Sequence, residues 1–202
     1  MANQLKALLL LFAFVLSVFG ETFLPKQSDY LPVSTLYAND IVRSGTDSFW
    51  RSANPNPSSD GIWGGTIISS YPVRPNAVTK VTVYMETGDR FHIAVGRKNI
   101  ALMMSIGDPF GYPNTVSYWT QTGVKCKNQR TSPYGSRAYE GDNITMTIDL
   151  RPFKGWVSYA KNGLDMGIAF SGLEDWGTDV YIMFGIINQN HRLKILDYSV
   201  LE

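Results

Sequence analysis

The chain has 202 residues, 18 Lys and Arg against 17 Asp and Glu, a formal charge of +1, and 44% apolar and 13% aromatic residues. The length suits one domain of ordinary size, the balanced charge excludes the basic footprint of a nucleic-acid binder, and the apolar content excludes disorder over most of the chain. A single cysteine, Cys126, and two histidines, His92 and His191, exclude an intrachain disulfide framework and a Cys-rich zinc site, and leave little room for a histidine-rich metal centre.

Residues 7–19 read ALLLLFAFVLSVF behind a start that carries Lys6, with Ser17 the only polar residue of the run. Such a run, as a helix, spans about 20 Å, whereas a bilayer core needs about 30 Å. A charged start, a short apolar stretch and small residues at its end describe a secretory signal. Val18 and Gly20 are small enough to flank the cut, which is expected after Gly20. The expected organisation is therefore a signal peptide at 1–20, an N-terminal segment at 21–36 and one domain at 37–202. The product would be secreted, or held in the lumen of the secretory pathway, without a membrane span and with equal numbers of acidic and basic residues. An apolar helix docked on the domain, or an uncleaved anchor, is the other reading of the same run.

Beyond residue 21 no stretch sustains a 3.6-residue apolar period, and alternation of period two recurs instead. Residues 28–75 are interrupted by Pro32, Pro55, Pro57, Pro72 and Pro75, yet 48–51 and 64–70 read as short strands, with Phe49, Trp50 and Trp63 available to pack on a core. In 79–86, Val81, Val83 and Met85 alternate with polar neighbours, and 91–95 repeats the pattern with Phe91, Ile93 and Val95. In 143–150, Ile144, Met146, Ile148 and Leu150 share one face. Residues 156–170 form two alternating runs around Asn162-Gly163, a pair that selects a type I′ hairpin turn. Residues 179–187 are apolar on both faces, as in a central strand. About ten short strands separated by turn residues imply an all-β fold, a two-sheet antiparallel sandwich with only short helical turns. A monomer is expected, with no second domain, coiled coil or repeat.

Several of these segments resemble one family. Residues 141–150, GDNITMTIDL, are similar to the "GD-x-I…-D-L" strand of SPRY (B30.2-type) domains, and 157–170, VSYAKNGLDMGIAF, to their "S-F/Y-x-x-N-G-x-x-x-G-x-A-F" hairpin. Tyr134-Gly135 ahead of Gly141-Asp142, and Phe91 to Gly96 with its "x-I-A-V-G" ending, fit in order and spacing. The likeness covers 78–198 firmly and 37–76 loosely. It implies a concanavalin A-like sandwich and a protein- or peptide-binding module whose ligand surface is built from loops at one end. The matching loops are Arg97, Lys98 and Asn99, and Asn188, Gln189 and Asn190, with 110–112 and Trp176 as a second surface. Two departures qualify the transfer. The sequence supplies no RING or coiled coil, so a ubiquitin-ligase role does not carry over. The 188–190 loop also lacks the tryptophan found there in one peptide-binding subgroup.

Other chemistries meet obstacles in the sequence. A retaining glycosidase needs two carboxylates about 5–5.5 Å apart on one strand face. Glu140 and Asp142 flank a turn glycine, and Glu174 and Asp175 are adjacent, so neither pair fits. His92 falls on an alternating strand, where a surface position is expected, and His191 stands at a loop edge. Neither G-x-S-x-G nor H-E-x-x-H occurs. Cys126 lies between Lys125 and Lys127, which would favour its thiolate, but a half-buried structural cysteine is the plainer reading. Gly167 marks a strand site of close backbone approach. Asn143-Ile144-Thr145 is an N-glycosylation sequon, so Asn143 is a candidate glycan site if the chain is exported. The expected function is thus a secreted binding module for a protein or peptide, without catalysis, cofactor or metal. A lectin-like carbohydrate binder, with Trp63 or Trp176 stacking on sugar, is the alternative.

Overall fold

The computed structural model describes residues 33–36, 41–44, 48–51, 65–97, 114–128, 130–176, 179–188 and 190–201. Its strands are β1 (Val33–Leu36), β2 (Ile41–Ser44), β3 (Ser48–Arg51), β4 (Gly65–Ser69), β5 (Val78–Thr87), β6 (Phe91–Arg97) and β7 (Thr115–Trp119). They continue as β8 (Val124–Lys127), β9 (Arg130–Pro133), β10 (Asn143–Asp149), β11 (Trp156–Lys161), β12 (Leu164–Phe170), β13 (Val180–Ile186) and β14 (Arg192–Leu201). A 3-10 turn, Glu174–Trp176, lies between β12 and β13. Sheet A has the order β1-β4-β13-β6-β7-β8-β9 and sheet B the order β12-β11-β10-β5-β14-β3-β2, all pairs antiparallel. The all-β sandwich expected from the alternation is the fold the chain adopts.

The alternation builds the core directly. Ile144 and Met146 of β10 lie opposite Val83 and Val81 of β5, so the apolar faces of neighbouring strands coincide. Phe91, Ile93 and Val95 of β6, with Val116 and Tyr118 of β7, meet them from sheet A in one buried cluster. Each such side chain contributes about 1.5–3 kcal/mol by leaving water. β13 is buried along its whole length, as its doubly apolar sequence requires of a strand inside the sheet. Asn162 and Gly163 have φ of 51° and 80°, the left-handed pair that a type I′ turn needs.

Some local expectations are corrected. There are more strands than the alternation suggested, because β8 (VKCK) and β9 (RTSP) pair without an apolar period. β1 pairs with β4 at the edge of sheet A. His92 is only 1% exposed and stacks on Trp119, because β6 is covered on both faces. Cys126 is buried rather than half-buried, and strand alternation sends Lys125 and Lys127 to the face opposite the thiol. Nothing lies within 4 Å of where a Cβ on Gly167 would be, so close approach is not its role. Its φ of 81° instead serves the register shift between Ser158 and Ala160 in the β11–β12 pair. Among the described residues no helix is long and apolar enough to cross a membrane.

Candidate functional site

Arg97 is the last residue of β6, and Asn188 and Asn190 lie between β13 and β14. Lys98, Asn99 and Gln189 lie outside the described residues. The register pairs Arg97 with Val180 and Phe91 with Ile186. Because β6 and β13 are antiparallel, the exit of one strand lies beside the entry of the other. Arg97 and the Asn188–Asn190 turn therefore stand at opposite ends of sheet A, about 20 Å apart along a seven-residue strand. The structure does not bring Arg97 together with Asn188 and Asn190.

The end that carries Arg97 can be traced through backbone bonds. The amide of Val73 donates to the carbonyl of Val180 at 2.6 Å, and that of Asn76 donates to Leu150 at 3.2 Å. Leu150 leads into a turn, 151–154, closed by the Lys154 amide donating to the Arg151 carbonyl at 3.0 Å. The base of this turn is held by Asp149, whose buried carboxylate accepts from the Arg151 amide at 3.0 Å and from its guanidinium at 2.7 Å. Bonding to Arg151 holds the Asp149 carboxyl below its ordinary value against the opposing effect of burial.

Pro152 and Phe153 occupy the centre of that turn. Phe153 has φ 62° and is 100% exposed. Glycine or asparagine normally fills a left-handed position after a turn proline, since a side chain there costs backbone strain. A bulky aromatic in that conformation is an uncommon outlier, and here no burial compensates it. Tyr71, 70% exposed, lies in the segment that reaches Val180 at the same end. Sequence reasoning passed over Phe153, although a phenylalanine between Pro152 and Lys154 in a polar turn was the available signal.

The other candidates have structural occupations. Glu140 accepts from the Gly88 amide at 3.1 Å. Asp142 accepts from the Tyr139 amide at 2.8 Å and from the Asn162 side-chain amide at 2.6 Å, and lies 3.6 Å from Lys161. Burial opposes ionisation of Asp142, but these donors hold its carboxyl below the ordinary value. His191 packs its ring on Phe91 at 5.6 Å, and desolvation lowers its pKa. Trp176 is 7% exposed and belongs to the core, so it presents no open ring face to a sugar. Trp63, the other stacking candidate, and 110–112 lie outside the described residues. Among the described residues no group of three His, Cys, Asp or Glu side chains is placed to hold a metal ion. Asn143 opens β10 with Ile144, Met146 and Ile148 directed into the core, so its side chain is on the outer face of sheet B.

No protein-family model matches the chain, and no curated protein matches its sequence. Solved structures do. A human SPRY domain superposes with a TM-score of 0.59 at 16% identity, over 77% of this chain and 94% of that one. The SPRY domain of human HERC1 gives 0.60 at 16% identity, over 84% and 96%. The TRIM65 PSpry domain gives 0.59 at 11% identity, over 82% and 92%. The likeness is one of fold, and it agrees with the strand and hairpin motifs at 141–150 and 157–170. The chain folds as a SPRY-type domain.

Proposed function

We propose that this protein is a secreted binding module that recognises a protein or peptide, without turnover, through the end of the sandwich that carries Arg97 and Phe153. The observation that carries this reading is Phe153, a fully exposed aromatic held at φ 62°. Strain of this kind persists only where the surrounding structure holds it and clusters at binding and catalytic sites, and an exposed aromatic offers a large apolar face for a partner to bury. Arg97, the last residue of β6 at the same end, is the polar contact proposed with it. The fold shared with SPRY domains supports a module that binds through its loops. Asn188 and Asn190, at the far end, belong to a separate surface.

Export is part of the same proposal. The leader at 1–20 would be cleaved after Gly20, and the outward position of Asn143 suits a glycan. N-terminal sequencing should start at or near Glu21, and Asn143→Gln should lower the mass of the native protein by one glycan. A cytosolic chain that retains Met1 or Ala2 would overturn the export reading.

Binding is tested by proximity labelling with the exported chain, followed by titration of the partner so identified. Phe153→Ala and Arg97→Ala should each weaken that partner about tenfold, the effect of roughly 1.4 kcal/mol. Asn188→Ala with Asn190→Ala should not. Unchanged affinity in the first two variants, or saturable binding on a glycan array in place of any protein partner, would overturn the proposal.

A further inference from the structure

A cleft of about 760 Å³ opens where the β8–β9 hairpin faces the end of β12, lined among others by Lys125, Lys127, Arg130, Thr131, Ala169 and Phe170. Among the described residues no carboxylate lines it. Lys127 lies directly opposite Arg130 in the hairpin register, and Lys125 opposite Ser132. Strand alternation therefore sets all three cations on one face. That face is turned toward sheet B, because the Lys125 ammonium donates to the Ala169 carbonyl at 2.7 Å and lies 5.6 Å from the Phe170 ring.

Like charges directly opposite each other on paired strands are destabilising. In a chain of formal charge +1, three cations gathered on one hairpin face call for an anion between them. The setting also says what kind. β9 closes sheet A and β12 closes sheet B, so among the described residues each has one side without a strand partner. An extended segment can add to such an edge through its main chain, with alternate side chains reaching into the cleft. Ala169 and Phe170 form the apolar inner wall of the cleft.

Resting on the reading of this domain as a binding module, we infer that the cleft seats an extended acidic peptide segment of the partner. Asp or Glu side chains at alternate positions would meet Lys127 and Arg130, while the backbone pairs with the edge of β9. Lys125, already bonded to Ala169, shapes the inner wall and adds its field.

Fluorescence polarisation on the full exported chain tests this with a labelled octapeptide in which Glu alternates with Val and Thr. The wild type should bind it at least tenfold more tightly than the same peptide with Gln for Glu. The preference should shrink as salt is raised. Lys127→Glu with Arg130→Glu should abolish the preference, and Lys127→Gln with Arg130→Gln, which removes charge without reversing it, should reduce binding at least tenfold. Equal affinity for the two peptides would overturn the inference. So would a sulfated polysaccharide that binds through the same residues more tightly than the peptide. If the natural partner loses affinity in the Phe153 variant but not in the charge variants, the cleft assignment fails while the binding-module reading stands.

Discussion

The Tyr159 hydroxyl on β11 donates to the main-chain carbonyl of Ile93 on β6 at 2.8 Å, so a single side chain bonds sheet B to sheet A through the middle of the core. Burial raises the Tyr159 phenol well above its ordinary pKa, which keeps the proton on the hydroxyl. The Tyr159 amide in turn donates to the Tyr134 hydroxyl at 3.1 Å, and that hydroxyl donates to the Gly167 carbonyl on β12. The two tyrosines thus fix sheet separation and the β12 edge together, which is the edge that borders the basic cleft.

Tyr159→Phe keeps the ring and removes only the donor. Losing a buried hydrogen bond of this kind costs about 1–2 kcal/mol. Urea unfolding should show a lower midpoint with an unchanged slope, since the surface exposed on unfolding is the same. A midpoint equal to that of the wild type would mean that the bond contributes nothing net.

The β11–β12 turn is tied to the start of β10. The Asn162 amide donates to the Asn143 carbonyl at 2.9 Å, and the Asn143 amide donates to the Asn162 side-chain oxygen at 2.8 Å. Gly163→Ala tests the turn's backbone alone, because nothing lies within 4 Å of where its Cβ would sit and φ is 80°. The expected loss is about 1 kcal/mol, from placing a side chain in the left-handed region. Asn162→Ala should cost more, since it also removes the side-chain bonds to the Asn143 amide and to the Asp142 carboxylate. Chemical denaturation of the two variants ranks them, and the opposite order would assign the turn's stability to backbone conformation alone.

Phe153 permits a sharper test, because stability and binding should move in opposite directions. Phe153→Gly relieves the left-handed strain of about 1–2 kcal/mol while Gly gives back about 0.5–1 kcal/mol of backbone entropy. No burial is lost, since the ring is fully exposed. The variant should therefore be as stable as the wild type or more so, by up to about 1.5 kcal/mol, while partner affinity falls. A thermal scan paired with the titration reads both. Loss of stability with retained binding would make Phe153 a structural residue.

The sandwich was legible where burial imposes a period. β5, β10 and the β11–β12 hairpin follow from Val81-Val83-Met85, Ile144-Met146-Ile148 and Asn162-Gly163, because a strand with one face in the core must alternate. β8 and β9 were hidden for the converse reason: Lys125, Lys127 and Arg130 face a cleft, so the segment carries no apolar rhythm although Cys126 on its other face is buried. His92 misled because alternation tells which residues point away from the core, not whether the other face is covered too. The two polar loops follow from the SPRY resemblance, and only the antiparallel register shows that Arg97 stands at the opposite end of sheet A from Asn188 and Asn190. Phe153 carried no periodic signal, and its importance lies in a φ value that sequence does not display.

His92 gives the fold a dependence on acid. Its ring is buried against Trp119, and desolvation lowers its pKa from 6.5 to about 3. The unfolded chain takes up a proton on this residue below about pH 6.5, while the folded chain resists until about pH 3. Stability is therefore fully present above the unfolded pKa and falls as pH drops through that window, by at most about 1.4 kcal/mol per pH unit from this group. Desolvation lowers the pKa of His191 as well, and Asp142 and Asp149, both held low, add their own loss at the acid end. Comparing His92→Leu with the wild type separates the one residue from the others. Between pH 6 and pH 4 the wild type should lose stability about one proton's worth more steeply than the variant. Parallel urea-derived pH profiles for the two proteins would show that His92 is already protonated, or readily hydrated, in the folded state.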